Sequence, residues 1–101
     1  MNLEKLKLRL GIDSNDTGFD NELNGWIEDA ETELCQYIGI SSLEDDVKVL
    51  PSYGLFVRNY ALLMFKGDDM TMTGHDFAVR QMEDGKENFF VERFNKLNDN
   101  N

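Results

Sequence analysis

Oxygen-bearing side chains recur at alternate positions near the start of the chain, in the pattern Asp13-x-Asn15-x-Thr17-Gly18. This spacing partly matches the loop of a helix-loop-helix calcium site. The twelfth position of such a loop is a glutamate that binds the ion through both oxygens, whereas Asn24 stands here and offers one neutral oxygen. We therefore predict a turn that satisfies its own backbone and binds no metal.

Two side chains of types that act in catalysis, His75 and Cys35, each occur once in the chain. A histidine acting as a base needs a nucleophile and an orienting group, and a metal-binding histidine needs further ligands. Cys35 follows Leu34 in an apolar pattern and has no basic residue nearby to favour the thiolate. We expect His75 to be an exposed loop residue and Cys35 to be buried as a structural residue.

Short acidic runs occur at Asp45-Asp46 and Asp68-Asp69, and such runs are ordinary in a chain with 20 acidic and 10 basic side chains. The sequence contains no glycine-rich phosphate loop, no Gly-x-Ser-x-Gly elbow and no Cys-x-x-Cys pair. We predict that the protein is not an enzyme and has no catalytic residues, no cofactor and no bound metal.

The composition predicts one folded domain, since 101 residues with 41% hydrophobic side chains can form a single apolar core. A formal charge of −10 repels phosphate backbones and anionic lipid headgroups, so DNA is expected at most to pass nearby without specific binding. One unpaired cysteine and the lack of an apolar leader predict an intracellular protein. The longest apolar run, Tyr60 to Phe65, is too short for a membrane span.

Helical periodicity predicts three helices in the first two thirds of the chain. Leucines three or four residues apart predict a first helix from Leu3 to Leu10, ended by Gly11. A longer amphipathic pattern predicts a second helix from Asp20 to Ile38, capped by Thr17 or Asp20 and ended by Gly39. Gly25 lies inside this helix, which suggests that another backbone packs close to it.

The third predicted helix runs from Pro51 to Lys66 and is apolar around most of its circumference, so we expect it to be buried on most sides. An acidic connection over residues 41–48, with a short helical turn, precedes it. Residues 68–74 lack a clear period and are predicted to form a loop. Beyond them, Asp84-Gly85 favours a hairpin, whereas the spacing of the later phenylalanines favours a helix, and both alternatives stay open.

These elements predict a mainly α protein, a small bundle of three to four helices with a short β-hairpin or an extra helix at the C-terminus. Residues 1–97 form the single domain, and residues 98–101 form a flexible polar tail. The aromatic stripe near the C-terminus exceeds what a small core needs, which indicates contact with a partner. The predicted partner-binding residues are Phe89, Phe90, Arg93 and Phe94.

The order of elements from Leu3 to Gly67 resembles that of the head-tail connector (adaptor) proteins of long-tailed bacteriophages. Three features carry the resemblance. The first is the opening Leu3-x-x-Leu6-x-x-x-Leu10-Gly11-Ile12, followed by an Asp-rich turn. The second is the helix pattern Leu23-x-x-x-Ile27-x-Asp29-Ala30-x-x-x-Leu34-x-x-Tyr37-Ile38-Gly39. The third is Pro51 before an aromatic helix.

The resemblance implies a structural protein that forms a homo-oligomeric ring in the virion, at the head-tail junction, after synthesis in the cytoplasm of the bacterial host. It implies two partners, the portal protein and a neighbouring connector or tail-completion protein, with a central channel for DNA. The composition leaves a second hypothesis open, an acidic regulatory or inhibitor protein that binds a host protein through its charged face.

Overall fold

The computed structural model describes residues 1–99, which form a mainly helical bundle without a β-strand in that range. Four α-helices follow one another: α1 (Leu3–Leu10), α2 (Asp20–Ile38), α3 (Pro51–Lys66) and α4 (Met72–Asn98). Two short 3-10 turns, Asp45–Val49 and Gly67–Asp69, lie before and after α3. The mainly α prediction is confirmed, and α4 settles the C-terminal alternative in favour of a helix.

Local sequence signals explain where α1 and α2 begin and end. The Asn2 side chain caps α1 by accepting a hydrogen bond from the Lys5 backbone N–H at 2.8 Å. Gly11 and Gly39 follow the two helices with φ of 74° and 87°, left-handed values that favour glycine. The predicted cap of α2 is wrong, because Phe19 occupies the cap position and no side chain caps the helix there.

Asp20 is instead the first residue of α2, and its carboxylate lies 2.6 Å from the ammonium group of Lys7 in α1. Lys7 is almost fully buried, so this ion pair joins the two helices below the surface. The expectation for Gly25 is also wrong, because a Cβ built there meets no atom within 4 Å. No close backbone contact therefore accounts for this glycine.

Helix α3 has seven buried residues, more than any other helix, and all of them lie between Ser52 and Ala61. The prediction that α3 is buried on most sides holds for this stretch, whereas Leu55 and Met64 are exposed. The apolar core draws on every helix. Its residues are Leu6, Leu10, Leu23, Ile27, Ala30, Leu34, Cys35, Leu43, Val47, Tyr53, Phe56, Val57, Ala61 and Phe89.

Helix α4 is 27 residues long, so it extends about 40 Å at a rise of 1.5 Å per residue. It begins inside the predicted loop over residues 68–74, because the Thr71 side chain caps it by accepting a hydrogen bond from the Gly74 N–H at 3.0 Å. Asp84-Gly85 lies in the middle of the helix, where Gly85 is buried against Phe56 of α3. Asn98 ends α4, and the rest of the predicted tail reaches residues 100 and 101, which lie outside the described residues.

Candidate protein-docking surface

The structure divides the predicted partner-binding residues between the core and the surface. Phe89 is fully buried in the core, where it lies near Tyr53, so it is not available to a partner in this fold. Phe90 and Phe94 are exposed by 43% and 60%. Arg93 lies between them in sequence and forms an ion pair within the molecule. Only two of the four residues therefore offer apolar surface.

Exposed apolar side chains form a continuous surface on the last third of α4, which we call the aromatic face. Phe90, Phe94 and Leu97 follow one another at helical spacing, and Val91 lies beside them. Tyr37, at the end of α2, extends the surface because its ring meets that of Phe90 edge to face at 6.4 Å. The aromatic face thus comprises Tyr37, Phe90, Val91, Phe94 and Leu97.

Two contacts hold the aromatic face in place. Phe89 anchors α4 from below, because its ring is fully buried in the core. On the flank, the Nε of Arg93 donates to both carboxylate oxygens of Glu44, at 3.0 and 3.1 Å. These charge-assisted hydrogen bonds lower the pKa of Glu44 and raise the pKa of Arg93. The apolar surface therefore lies on an anchored segment of helix.

A groove of about 410 Å³ adjoins the aromatic face between the start of α3 and α4. Leu55 and Val91 form its apolar part, and Glu87 and Glu92 add carboxylates. Ser52 also lines the groove, and its hydroxyl oxygen is buried without a hydrogen-bond partner among the described residues. The groove thus places an apolar strip and two carboxylates beside the aromatic face.

A second exposed apolar area lies on the first half of α4. Met72 and Phe77 are exposed by 83% and 61%, respectively. No aromatic contact supports Phe77 in residues 1–99, in contrast to Phe90 and Tyr37. The aromatic face is the candidate site because the rings of Tyr37 and Phe90 contact each other and Val91 lines the adjoining groove.

The residues with catalytic potential lie apart from one another. Cys35 is buried, and burial together with the nearby carboxylates of Glu31 and Glu44 raises its thiol pKa, which disfavours the reactive thiolate. His75 is exposed, but it lies in the first turn of α4 and not in a loop. Residues 1–99 bring together no group of three or more histidine, cysteine, aspartate or glutamate side chains that could hold a metal ion.

The Asp-rich turn before α2 satisfies its own backbone. Asp13 accepts a hydrogen bond from the Asn15 N–H at 2.8 Å, and Asp16 accepts one from the Gly18 N–H at 2.9 Å. These carboxylates thus stabilise the turn, as the sequence predicted. Asn24, which would have to complete a calcium loop, is an exposed residue of α2.

Two parts of the surface were not found from the sequence. Tyr37 belongs to the same helical pattern as Leu23, Ile27 and Leu34, which are buried, yet it is 50% exposed. Its place in the last helical turn, just before Gly39, was the available signal, because the end of a helix often projects beyond the core. The pairing of Arg93 with Glu44 spans 49 positions and has no local signature in the sequence.

Comparisons with protein-family models, with curated proteins and with solved structures find no match for this chain in any of the three. No helix within residues 1–99 is both long enough and apolar enough to cross a membrane.

Proposed function

We propose that this protein is a structural head-tail connector subunit of a tailed bacteriophage, which acts by docking onto other proteins and not by catalysis. Its copies form a ring between the portal protein and the next connector or tail-completion protein. The ring surrounds a channel through which DNA passes without specific binding. The protein is made in the host cytoplasm and ends in the virion.

The aromatic face is the observation that carries the docking part of the proposal. Contiguous exposed apolar side chains mark interaction surfaces, and aromatic residues are enriched at the centres of such surfaces. The face is supported by buried Phe89 and by the Arg93–Glu44 pair, so little ordering is needed when a partner binds. The adjoining groove adds the exposed Leu55 to the apolar surface available to the same partner.

The connector part of the proposal is supported by the helix pattern that carries the resemblance. The ends of α1, α2 and α3 coincide with the segments predicted from that pattern. The subunits of a ring need two different contact surfaces on each copy, because neighbouring subunits meet head to tail. The formal charge of −10 suits the wall of a channel for DNA, since like charges repel and keep the DNA from binding to the wall.

The test compares two variants that remove equally exposed phenylalanines from the same helix. Phe94 lies in the aromatic face and Phe77 lies outside it, and their side chains are 60% and 61% exposed. The wild-type protein is mixed with the portal protein of the same phage, and complexes are measured by mass photometry and negative-stain imaging. We expect ring-shaped complexes that Phe94→Ser abolishes and that Phe77→Ser leaves intact.

Three outcomes would contradict the proposal. A protein that stays monomeric at high concentration and binds neither portal nor tail components is not a connector. Equal effects of the two phenylalanine variants would show that the aromatic face is not the docking surface. Tight binding of a monomer to a host enzyme, weakened by salt, would instead favour the acidic inhibitor hypothesis.

A further inference from the structure

A recess of about 540 Å³ between α1 and the start of α3 concentrates positive charge on this acidic molecule. Lys5 and Arg9 of α1 line one side, and Lys48 of the first 3-10 turn lines another. The remaining wall is formed by the start of α3 and the residues before it, and no carboxylate lines the recess. Three of the ten lysine and arginine side chains therefore surround one cavity. We call it the cationic recess.

The charges of the cationic recess are largely uncompensated within the protein. Lys5 and Arg9 form no ion pair with any residue from 1 to 99, and Lys48 has one partner, Glu31, at 3.5 Å. The guanidinium group of Arg9 lies over Gly54, where a Cβ would come within 3.2 Å of it. The first turn of α3 also directs its positive dipole end towards this region. An acidic group that entered the recess would therefore meet several unpaired donors.

The opposite end of α3 carries the complementary charge. Asp68 and Asp69 form the second 3-10 turn, directly after the C-terminus of the helix, and both are exposed. Neither forms an ion pair within the described chain. Because α3 has 16 residues, this acidic turn lies about 24 Å along the helix from the cationic recess. The cationic recess and the acidic turn thus lie at opposite ends of α3.

We infer that copies of this chain associate head to tail, with the Asp68-Asp69 turn of one copy seated in the cationic recess of the next. The inference rests on the proposed ring and adds the contact that joins its subunits. Two different patches meet in such a contact, and that is the type of interface that closes into a ring when the rotation between copies is suitable. The contact also offsets the mutual repulsion of subunits that each carry −10.

Charge complementarity favours a second copy over a nucleic acid as the occupant. A nucleic acid would bring many phosphates towards a protein whose remaining surface is acidic, whereas the acidic turn brings two carboxylates to a limited area. Salt is a poor test, because it screens both the contact and the general repulsion between copies. Charge reversal at single positions separates the two effects.

The experiment reverses one charge on each side of the contact, with controls that change the net charge equally. Arg9→Glu alters the cationic recess, and its control is Arg80→Glu on the exposed surface of α4. Asp68→Arg alters the acidic turn, and its control is Asp84→Arg. Self-association is measured by sedimentation velocity, and circular dichroism verifies that each variant folds. If Arg9→Glu does not fold, Lys5→Glu replaces it.

We expect Arg9→Glu and Asp68→Arg each to weaken self-association by roughly tenfold or more, because an attraction becomes a repulsion between like charges. The two controls should associate as the wild-type protein does. Mixing Arg9→Glu with Asp68→Arg should restore association. At one type of junction the native acidic turn of Arg9→Glu meets the native recess of Asp68→Arg, and at the other the two reversed charges meet. Adding inorganic phosphate to the wild-type protein should compete only weakly.

The inference would be overturned if Arg9→Glu or Asp68→Arg associated as strongly as the wild-type protein, or if mixing the two variants did not restore association. Either result would leave the proposed connector function intact. Strong competition by phosphate or by a DNA oligonucleotide would also overturn it, in favour of a phosphate ligand for the recess. A wild-type protein that forms no oligomer, alone or on the portal, would overturn both the inference and the proposed ring.

Discussion

Helices α3 and α4 are both long and both rich in apolar residues, yet they use these residues in different ways. Seven of the 16 residues of α3 are buried, against two of the 27 residues of α4. Other elements surround α3, whereas α4 packs mainly on α3 along one side. The difference shows that a few buried residues can anchor a helix while the rest of its apolar surface stays exposed and available to a partner.

The strongest test of this comparison is the single large anchor of α4. Phe89→Ala should lower the free energy of unfolding by about 3–5 kcal/mol, because it removes a fully buried aromatic ring and leaves a cavity. Urea unfolding followed by circular dichroism measures the change. If Phe89→Ala is no less stable than Phe94→Ala, the assignment of Phe89 to the core is wrong.

The close approach of α4 to α3 predicts the next largest effect. A Cβ at Gly85 would lie 3.4 Å from the Phe56 ring, an ordinary contact, so Gly85→Ala should gain up to about 1 kcal/mol of stability from its higher helix propensity. Gly85→Leu should instead cost about 1–3 kcal/mol, since its side chain would force the helices apart. Thermal unfolding of the two variants gives the difference. Equal stabilities would show that the helices are not in contact there.

The pair between Glu44 and Arg93 predicts a smaller effect that depends on pH. The pKa of Glu44 is lowered in the folded protein by the hydrogen bonds from Arg93, so the carboxylate stabilises the fold above its unfolded pKa. This contribution disappears as the pH falls through the folded pKa. Glu44→Gln should therefore cost about 1 kcal/mol at pH 7 and almost nothing in acid below the folded pKa of Glu44, a modest size because the carboxylate is partly exposed.

Glu22→Gln serves as the control for this titration, since Glu22 is exposed and forms no ion pair in the described part of the chain. Its unfolding free energy should differ little from that of the wild-type protein at either pH. A stability difference for Glu44→Gln that persists unchanged in acid would mean that the charge of Glu44 is not its cause.

The smallest effect on stability is expected at the aromatic face. Phe94→Ser should change the free energy of unfolding by no more than about 0.5 kcal/mol, because the side chain is mostly exposed. The same variant should have the largest effect on docking. Changes at Phe89 should therefore mainly lower stability, whereas changes at Phe94 should mainly weaken association. Differential scanning calorimetry beside the association assay checks this difference. A marked loss of stability in Phe94→Ser would show that Phe94 supports the fold.

The first three helices could be predicted from the sequence because their limits are encoded locally. Gly11 and Gly39 adopt left-handed conformations, and Pro51 fits the first turn of α3. The start of α4 was missed because its capping residue, Thr71, lies in a polar stretch without periodicity. Asp84-Gly85 favours a turn in isolation, but both residues lie inside α4, where Gly85 packs beside Phe56 of α3, a contact that is distant in sequence.

The docking surface could be predicted only in part, for a related reason. The spacing of Phe89, Phe90 and Phe94 shows an aromatic segment, but which ring enters the core depends on the rotation of α4 against α3. That rotation is set by contacts distant in sequence, such as Arg93 with Glu44. The cationic recess was not foreseen, because its residues come from α1 and from the turn before α3.

The uninterrupted course of α4 fixes how far apart its two exposed apolar areas lie. Phe77 and Phe94 are separated by 17 positions in one helix, hence by about 26 Å along its axis. Helix α4 is continuous between the two areas, so it keeps their binding partners at a fixed distance from each other. Seven inserted residues would lengthen this distance by about 10 Å and nearly preserve the relative direction of the two rings, whereas two inserted residues would rotate one ring by about 200° around the helix axis relative to the other.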